Sequence, residues 1–96
     1  MKIYVRSNSS DYAGNCANIW HIDFYEMVGD LRPLKEVYIF AESKQEAKSI
    51  AKKLAVALGY NPDKTITQYA YMTIAHLDRY YEPREADGIR YFIKQV

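Results

Sequence analysis

The spacing of apolar residues changes at Ser43, and this change constrains the fold more than any other feature of the chain. Before Ser43, apolar and polar residues alternate in three stretches, 2 to 6, 17 to 28 and 35 to 41. A period of two is typical of strands with one buried face. After Ser43, apolar residues recur every three or four positions as far as Leu58, which is typical of an amphipathic helix. The sequence therefore predicts an α+β fold.

The first helix has recognisable signals at both ends. Ser43-Lys44-Gln45-Glu46 is a capping box, in which the side chains of the first and last residues satisfy free backbone amides. Gly59 is a natural helix terminator. Thr65-Ile66-Thr67-Gln68 resembles a second capping box, and the apolar spacing that follows predicts a second helix from 66 to 81. The β-branched and aromatic residues of this segment leave a strand as the alternative.

The last part of the chain completes a single small domain. Glu82-Pro83 is expected to end the second helix, because the residue before a proline disfavours helical backbone. "READG" is predicted to be a loop, and "IRYFIKQV" a final strand at an edge of the sheet. A chain of 96 residues fits one domain. We therefore predict one α+β domain over 1–96, with an antiparallel sheet of about four strands and two helices in the order β-β-β-α-α-β.

In the stretch "IWHIDFYEM", 19 to 27, alternate residues belong to opposite faces of the predicted sheet. Trp20, Ile22 and Phe24 are expected to face the first helix. The opposite face, gathered over all predicted strands, is rich in aromatic and charged side chains: Tyr4, Arg6, His21, Asp23, Tyr25, Tyr38, Phe40, Arg90, Phe92 and Lys94. Either the second helix covers this face, or both helices lie on the other side and the face is an open contact patch.

Tyrosine is unusually frequent, with ten residues in 96, and it is favoured at protein interfaces. Arginine and tyrosine also surround the segment "YYEPREADG", and these two residue types dominate interface hot spots. The predicted partner interface therefore combines the sheet face with this late cluster. Its residues are Tyr4, Arg6, His21, Asp23, Tyr25, Tyr38, Arg79, Tyr80, Tyr81, Arg84 and Arg90.

Catalytic and metal-binding motifs are absent from the sequence. Cys16, His21, Asp23 and His76 are the candidate metal ligands, but they form no CxxC or HExxH pattern. Cys16 has the residue type for a nucleophile beside a histidine base, yet nothing in its flanks activates it. The four glycines are scattered and form no phosphate-binding loop. We expect no enzymatic activity, no cofactor and no metal.

Basic residues suggest a second class of function. The formal net charge of +1 argues against a strongly basic nucleic-acid binder, although a local patch can do the same work. Lys44, Lys48 and Lys52 recur every four residues on the first helix, and Lys53 lies further round. The alternative function is a small nucleic-acid-binding regulator that uses this lysine stripe and the sheet face. A third hypothesis is self-association through an edge strand or the tyrosine-rich face.

Cellular location and protein type can also be predicted. The single cysteine allows no intrachain disulfide, no apolar run reaches about 20 residues, and the first residues do not form a signal peptide. We expect a cytoplasmic protein without a membrane partner. In size, tyrosine content and lack of catalytic motifs, the chain resembles small accessory proteins of phages and mobile elements, including anti-CRISPR inhibitors. This resemblance of type implies a non-catalytic module that binds and inhibits a larger protein or ribonucleoprotein machine.

Overall fold

The computed structural model describes residues 18–27 and 29–95, which form five strands and two helices. The elements are β1 (Ile19–Phe24), β2 (Lys35–Phe40), α1 (Lys44–Leu58), β3 (Thr65–Tyr69), α2 (Ile74–Tyr80), β4 (Tyr81–Ala86) and β5 (Ile89–Lys94). The strands form one antiparallel sheet in the order β3-β1-β2-β5-β4. The predicted α+β class, antiparallel sheet and two helices are confirmed. The strand predicted over 2–6 lies outside the described residues.

Helix α1 begins and ends where the sequence predicts. The Ser43 hydroxyl accepts a hydrogen bond from the Glu46 amide at 3.1 Å, and the Glu46 carboxylate accepts one from the Glu42 amide at 2.6 Å. Gly59 closes the helix with a φ of 87°, in the left-handed region that glycine enters without steric cost. The buried side of the helix consists of small residues and one leucine: Ala47, Ala51, Leu54 and Ala55.

The first face of the sheet packs under α1 and forms the larger core. Trp20, Ile22 and Phe24 are buried there, as the alternation predicts, together with Val37, Ile39 and Tyr91 of the neighbouring strands. The Trp20 indole Nε1 donates a hydrogen bond to the Ala41 carbonyl at 3.0 Å. The Tyr69 ring meets the indole edge to face, 5.1 Å between centroids. This core holds the central strands in place from one side.

The second face of the sheet is partly covered by α2. Leu77 of α2 packs against Ile19, Ala70 and Phe92 in a smaller buried cluster. The Thr73 hydroxyl caps the helix by accepting a hydrogen bond from the His76 amide at 3.0 Å. Of the two arrangements considered for this face, the one in which the second helix covers it is therefore correct. Because α2 is only seven residues long, it covers one end of the face.

The segment predicted as one helix from 66 to 81 instead contains a strand, a connection and the short helix α2. Thr65–Tyr69 pairs with β1, with Thr67 opposite Ile22. The β-branched residues favour this extended backbone, so the alternative left open by the sequence is correct here. The true cap lies at Thr73, eight residues after the predicted one.

A further correction concerns the end of the chain. The segment predicted as a loop forms the second half of β4 and the two-residue turn at Asp87 and Gly88, with φ values of 54° and 81°, through which β4 pairs with β5. Two successive left-handed residues are typical of the tight turns that join twisted strands. Strand β5 therefore lies between β2 and β4 rather than at an edge. Pro83 is tolerated because β4 is the outer strand.

The sheet consists of two parts. Strands β3, β1 and β2 form one part and the β4–β5 hairpin forms the other, and they join at a short ladder in which Tyr38 pairs with Phe92. Neither α1 nor α2, in the part of the chain that the structure describes, has the length and apolar character needed to cross a membrane.

Candidate interaction surface

Five rings form a continuous row across the second face, which we call the tyrosine row: His21, Tyr38, Tyr81, His76 and Tyr80. The centroids of His21 and Tyr38 lie 4.9 Å apart, and those of Tyr38 and Tyr81 are also 4.9 Å apart. His76 then contacts Tyr81 at 6.3 Å and Tyr80 at 4.7 Å. The row thus connects β1, β2, the start of β4 and α2. It runs along the second face from β1 to α2.

An acid–histidine cluster, formed by His21, Asp23 and Glu36, adjoins one end of the row. His21 and Asp23 point to the same face of β1 because they are two residues apart, and Glu36 lies opposite Asp23 on β2. His21 Nε2 stands 3.1 Å from Asp23 Oδ1 and 3.2 Å from Glu36 Oε1. One imidazole nitrogen therefore sits between two carboxylates.

The electrostatic environment of the surface shifts several protonation equilibria. Burial raises the pKa of Asp23, the Glu36 charge raises it further, and His21 and a hydrogen bond from Tyr25 act in the opposite direction. The pKa of Tyr25 is raised by loss of solvation and then by the Asp23 carboxylate. Burial also raises the pKa of Tyr38, aided by the hydrogen bond that it shares with Tyr81. The Tyr25 and Tyr38 hydroxyls are therefore held in the protonated form and can act as hydrogen-bonding groups.

A groove of about 330 Å³ runs beside the row, lined by Pro33, Leu34, Lys35, Glu36, Tyr38, Tyr81 and Lys94. Its walls combine apolar and aromatic side chains with charges of both signs. The loop that joins β1 to β2 exposes three large apolar side chains, Met27, Leu31 and Leu34, and Leu34 forms part of the groove wall. The base of the loop is fixed by a 2.7 Å hydrogen bond from the Leu34 amide to the Phe24 carbonyl.

The structure brings together most, but not all, of the predicted interface residues. Arg79 lies over the Tyr80 ring, 5.7 Å from its centroid, at the α2 end of the row. Arg90 is on the second face with Phe92, two residues further along β5. Arg84 points to the first face instead, since it pairs with Tyr91, and it forms an ion pair with Glu82. It therefore lies on the opposite side of the sheet from the tyrosine row. Tyr4 and Arg6 lie outside the described residues.

Sequence reasoning missed three members of the surface, Glu36, His76 and Leu34. Glu36 joins the cluster only through the β1–β2 register, which brings it opposite Asp23. His76 enters the row because α2 begins at Ile74, directly after its cap residue Thr73. A threonine just before apolar residues with helical spacing is the sequence signal for such a cap. Leu34 falls between the turn signal at 29 to 33 and the predicted strand 35 to 41, and its exposure depends on the path of the loop.

The four lysines predicted as an alternative nucleic-acid contact, Lys44, Lys48, Lys52 and Lys53, are all exposed on α1. Lys52 approaches Asp63 at 3.9 Å, with both side chains largely in solvent. Because α1 packs on the first face, the lysine stripe and the tyrosine row lie on opposite sides of the sheet. No protein-family model, curated protein sequence or solved structure matches the chain.

Proposed function

We propose that the protein is a non-catalytic binding module that recognises a larger protein or ribonucleoprotein through the tyrosine row and the adjoining groove. The observation that carries this proposal is the continuity of the row, in which each ring contacts the next from His21 to Tyr80. Monomeric proteins rarely expose connected aromatic surfaces that serve no partner.

The residue types of the surface fit those that supply most binding energy in protein interfaces. Tyrosine and arginine are enriched among hot spots because they offer a large contact area and a hydrogen-bonding end. Tyr80 and Arg79 stack on each other at the exposed end of the row. Tyr38 and Tyr81, whose rings meet edge to face with 4.9 Å between their centroids, are more buried and give the surface a packed centre. A preorganised surface loses less entropy when a partner binds.

The groove defines the chemistry that a partner must offer. Leu34 and Pro33 provide an apolar wall, while Glu36 and Lys94 place opposite charges in the same groove. An apolar side chain of the partner fits between these walls, and polar groups at its sides can pair with the two charges. The resemblance to phage inhibitors extends the proposal: a bound module would block part of a host machine.

The nucleic-acid alternative receives less support from the geometry. Its two elements, the lysine stripe and the aromatic face, are separated by the thickness of the sheet. Asp23 and Glu36 also place negative charge beside the tyrosine row, where a phosphate backbone would be repelled. Binding to mixed-sequence DNA and RNA, measured by fluorescence anisotropy at low and physiological salt, tests this alternative directly. Tight, steeply salt-dependent binding that Lys48→Ala and Lys52→Ala remove would favour it.

The proposed interface is tested by exposed substitutions with a matched control. The full chain is used to purify partners from its native host, and the affinity for the purified partner is then measured. Tyr80→Ala and Leu34→Ala each remove a large exposed side chain of the surface. We expect each to weaken binding at least about 10-fold, because truncation of a hot spot commonly costs 2 kcal/mol or more.

Tyr71→Ala is the control, since Tyr71 is 87% exposed and contacts Tyr69, outside the tyrosine row. We expect it to bind as the wild type does. Equal affinities for wild type, Tyr80→Ala and Leu34→Ala would refute the proposed interface. Size measured against concentration by light scattering separates a partner from a second copy of this chain.

A further inference from the structure

One buried oxygen atom in the acid–histidine cluster lacks the partner that its position requires. Asp23 is only 9% exposed, and its Oδ1 is shielded from solvent without accepting a hydrogen bond. His21 Nε2 is 3.1 Å away, but it is directed at Glu36 Oε1 and makes its hydrogen bond there. A buried carboxylate oxygen without a partner destabilises the fold, so such atoms are rare unless they serve a purpose.

The proton count explains why protein groups alone leave this oxygen unsatisfied. Oδ1 and Oε1 each direct a lone pair at Nε2, which has a free lone pair of its own only when it is deprotonated. A proton on Nε2 can be directed at one oxygen only, and it leaves the other unpaired. No lysine or arginine within residues 18–27 and 29–95 forms an ion pair with Asp23 or Glu36. A divalent cation at the centre would satisfy all three lone pairs at once.

The distances fit a metal ion without rearrangement of the backbone. One ligand atom of each of the three residues lies within 4.8 Å of the other two. Zinc bonds to nitrogen and oxygen are about 2.0–2.2 Å long, so neighbouring ligands on a tetrahedral ion stand roughly 3.4 Å apart. The separations of 3.1 Å and 3.2 Å from Nε2 are close to that value. Rotation of the exposed Glu36 side chain is sufficient to bring the remaining pair of ligand atoms, on Asp23 and Glu36, to the same separation.

The positions of the three residues are fixed by the sheet. His21 and Asp23 are on β1, and the β1–β2 register places Glu36 opposite Asp23. One neighbour orients the histidine ligand, because the Tyr38 ring lies against the imidazole with 4.9 Å between the ring centroids. Second-layer contacts of this kind are typical of metal sites, where they hold ligands in the binding orientation.

We propose that His21, Asp23 and Glu36 bind a divalent transition-metal ion such as Zn²⁺, with the remaining coordination position open to solvent. The imidazole ligand selects zinc, cobalt or nickel over magnesium and calcium, which prefer oxygen ligands alone. Two carboxylates balance the charge of the ion. This site goes beyond the proposed partner recognition and requires no partner to be tested.

The experiment is calorimetric titration of Zn²⁺ into the metal-free full chain, with Mg²⁺ as the comparison ion. We expect one Zn²⁺ per chain with micromolar or tighter affinity, a higher melting temperature with Zn²⁺, and no saturable binding of Mg²⁺. Glu36→Gln and His21→Asn should each weaken Zn²⁺ binding at least about 10-fold. Glu36 is exposed, so its variant keeps the fold even if a change at His21 does not.

Two control variants exclude other ligands. His76→Asn makes the same chemical change at an exposed histidine outside the cluster, and Cys16→Ser removes the single thiol. Both should bind Zn²⁺ as the wild type does. The absorption spectrum of bound Co²⁺ should show a nitrogen and oxygen ligand set. Absence of saturable Zn²⁺ binding, or binding that survives Glu36→Gln and His21→Asn, would overturn the proposal.

Discussion

Leu77 is the buried residue of α2, and replacing it with alanine tests how this helix is held on the sheet. The side chain is 1% exposed and packs against Ile19, Ala70 and Phe92. Leu77→Ala removes about three methylene equivalents at roughly 0.8 kcal/mol each, a transfer free energy of about 2.4 kcal/mol. The half-buried neighbours can move inward, so a small remaining cavity adds only about 0.5 kcal/mol.

We therefore expect Leu77→Ala to lower the free energy of unfolding by about 3 kcal/mol and the melting temperature by roughly 12 to 24 °C. Urea unfolding followed by fluorescence is the assay, because the chain has a single tryptophan, Trp20. That indole lies in the core on the other face of the sheet. A lower free energy of unfolding detected by its fluorescence is therefore a loss of stability of the whole domain. Helix propensity cannot cause it, since alanine is the better helix former.

Leu31→Ala is the matched control, because it deletes the same atoms from a side chain that is 95% exposed. It should change the free energy of unfolding by less than about 0.5 kcal/mol. A loss below about 1 kcal/mol for Leu77→Ala would refute the assignment of Leu77 as the residue that anchors α2. An unchanged urea midpoint with fast hydrogen exchange in Ile74–Tyr80 would show instead that the helix detaches alone.

Three further substitutions have defined outcomes. Ser43→Ala removes the hydroxyl that caps α1 and should destabilise the protein by about 1 kcal/mol in urea unfolding, whereas Ser43→Asp should not. Gly88→Ala should cost about 1–2 kcal/mol from backbone strain alone, because φ is 81° and a Cβ there meets no atom within 4 Å. Asp23→Asn, measured by thermal unfolding in EDTA, should raise the melting temperature, since burial raises the pKa of Asp23 and opposes its charged form; a lower melting temperature would show that the carboxylate is needed without metal.

Features that depend on neighbouring residues in sequence could be predicted. The alternation in β1 correctly assigned Trp20 to the core and His21 to the other face. The signals at Ser43 and Gly59 located α1 to within a residue. The Asp87-Gly88 turn was available too, since this dipeptide between alternating residues is a strong hairpin signal. The sequence prediction instead assigns 84 to 88 to a loop.

Features that depend on strand register could not be predicted. The acid–histidine cluster needs Glu36 opposite Asp23, and ten residues of connecting loop separate the two strands that bring them together. A loop of that length fixes no register by itself, so packing of both faces must select it. The segment 65 to 69 also has residues compatible with helix, and only its pairing with β1 resolves the choice.

The short ladder between β2 and β5 has a consequence for the lifetime of the protein in a cell. The tyrosine row crosses this joint, because Tyr38 belongs to β2 and Tyr81 to β4. A partner bound across the row would hold the β4–β5 hairpin against the rest of the sheet, and a ligand at 100 times its Kd stabilises the bound fold by about 2.7 kcal/mol. Unbound chains would open first at this joint and be degraded sooner. Recognition of the partner would then also set how long each molecule survives.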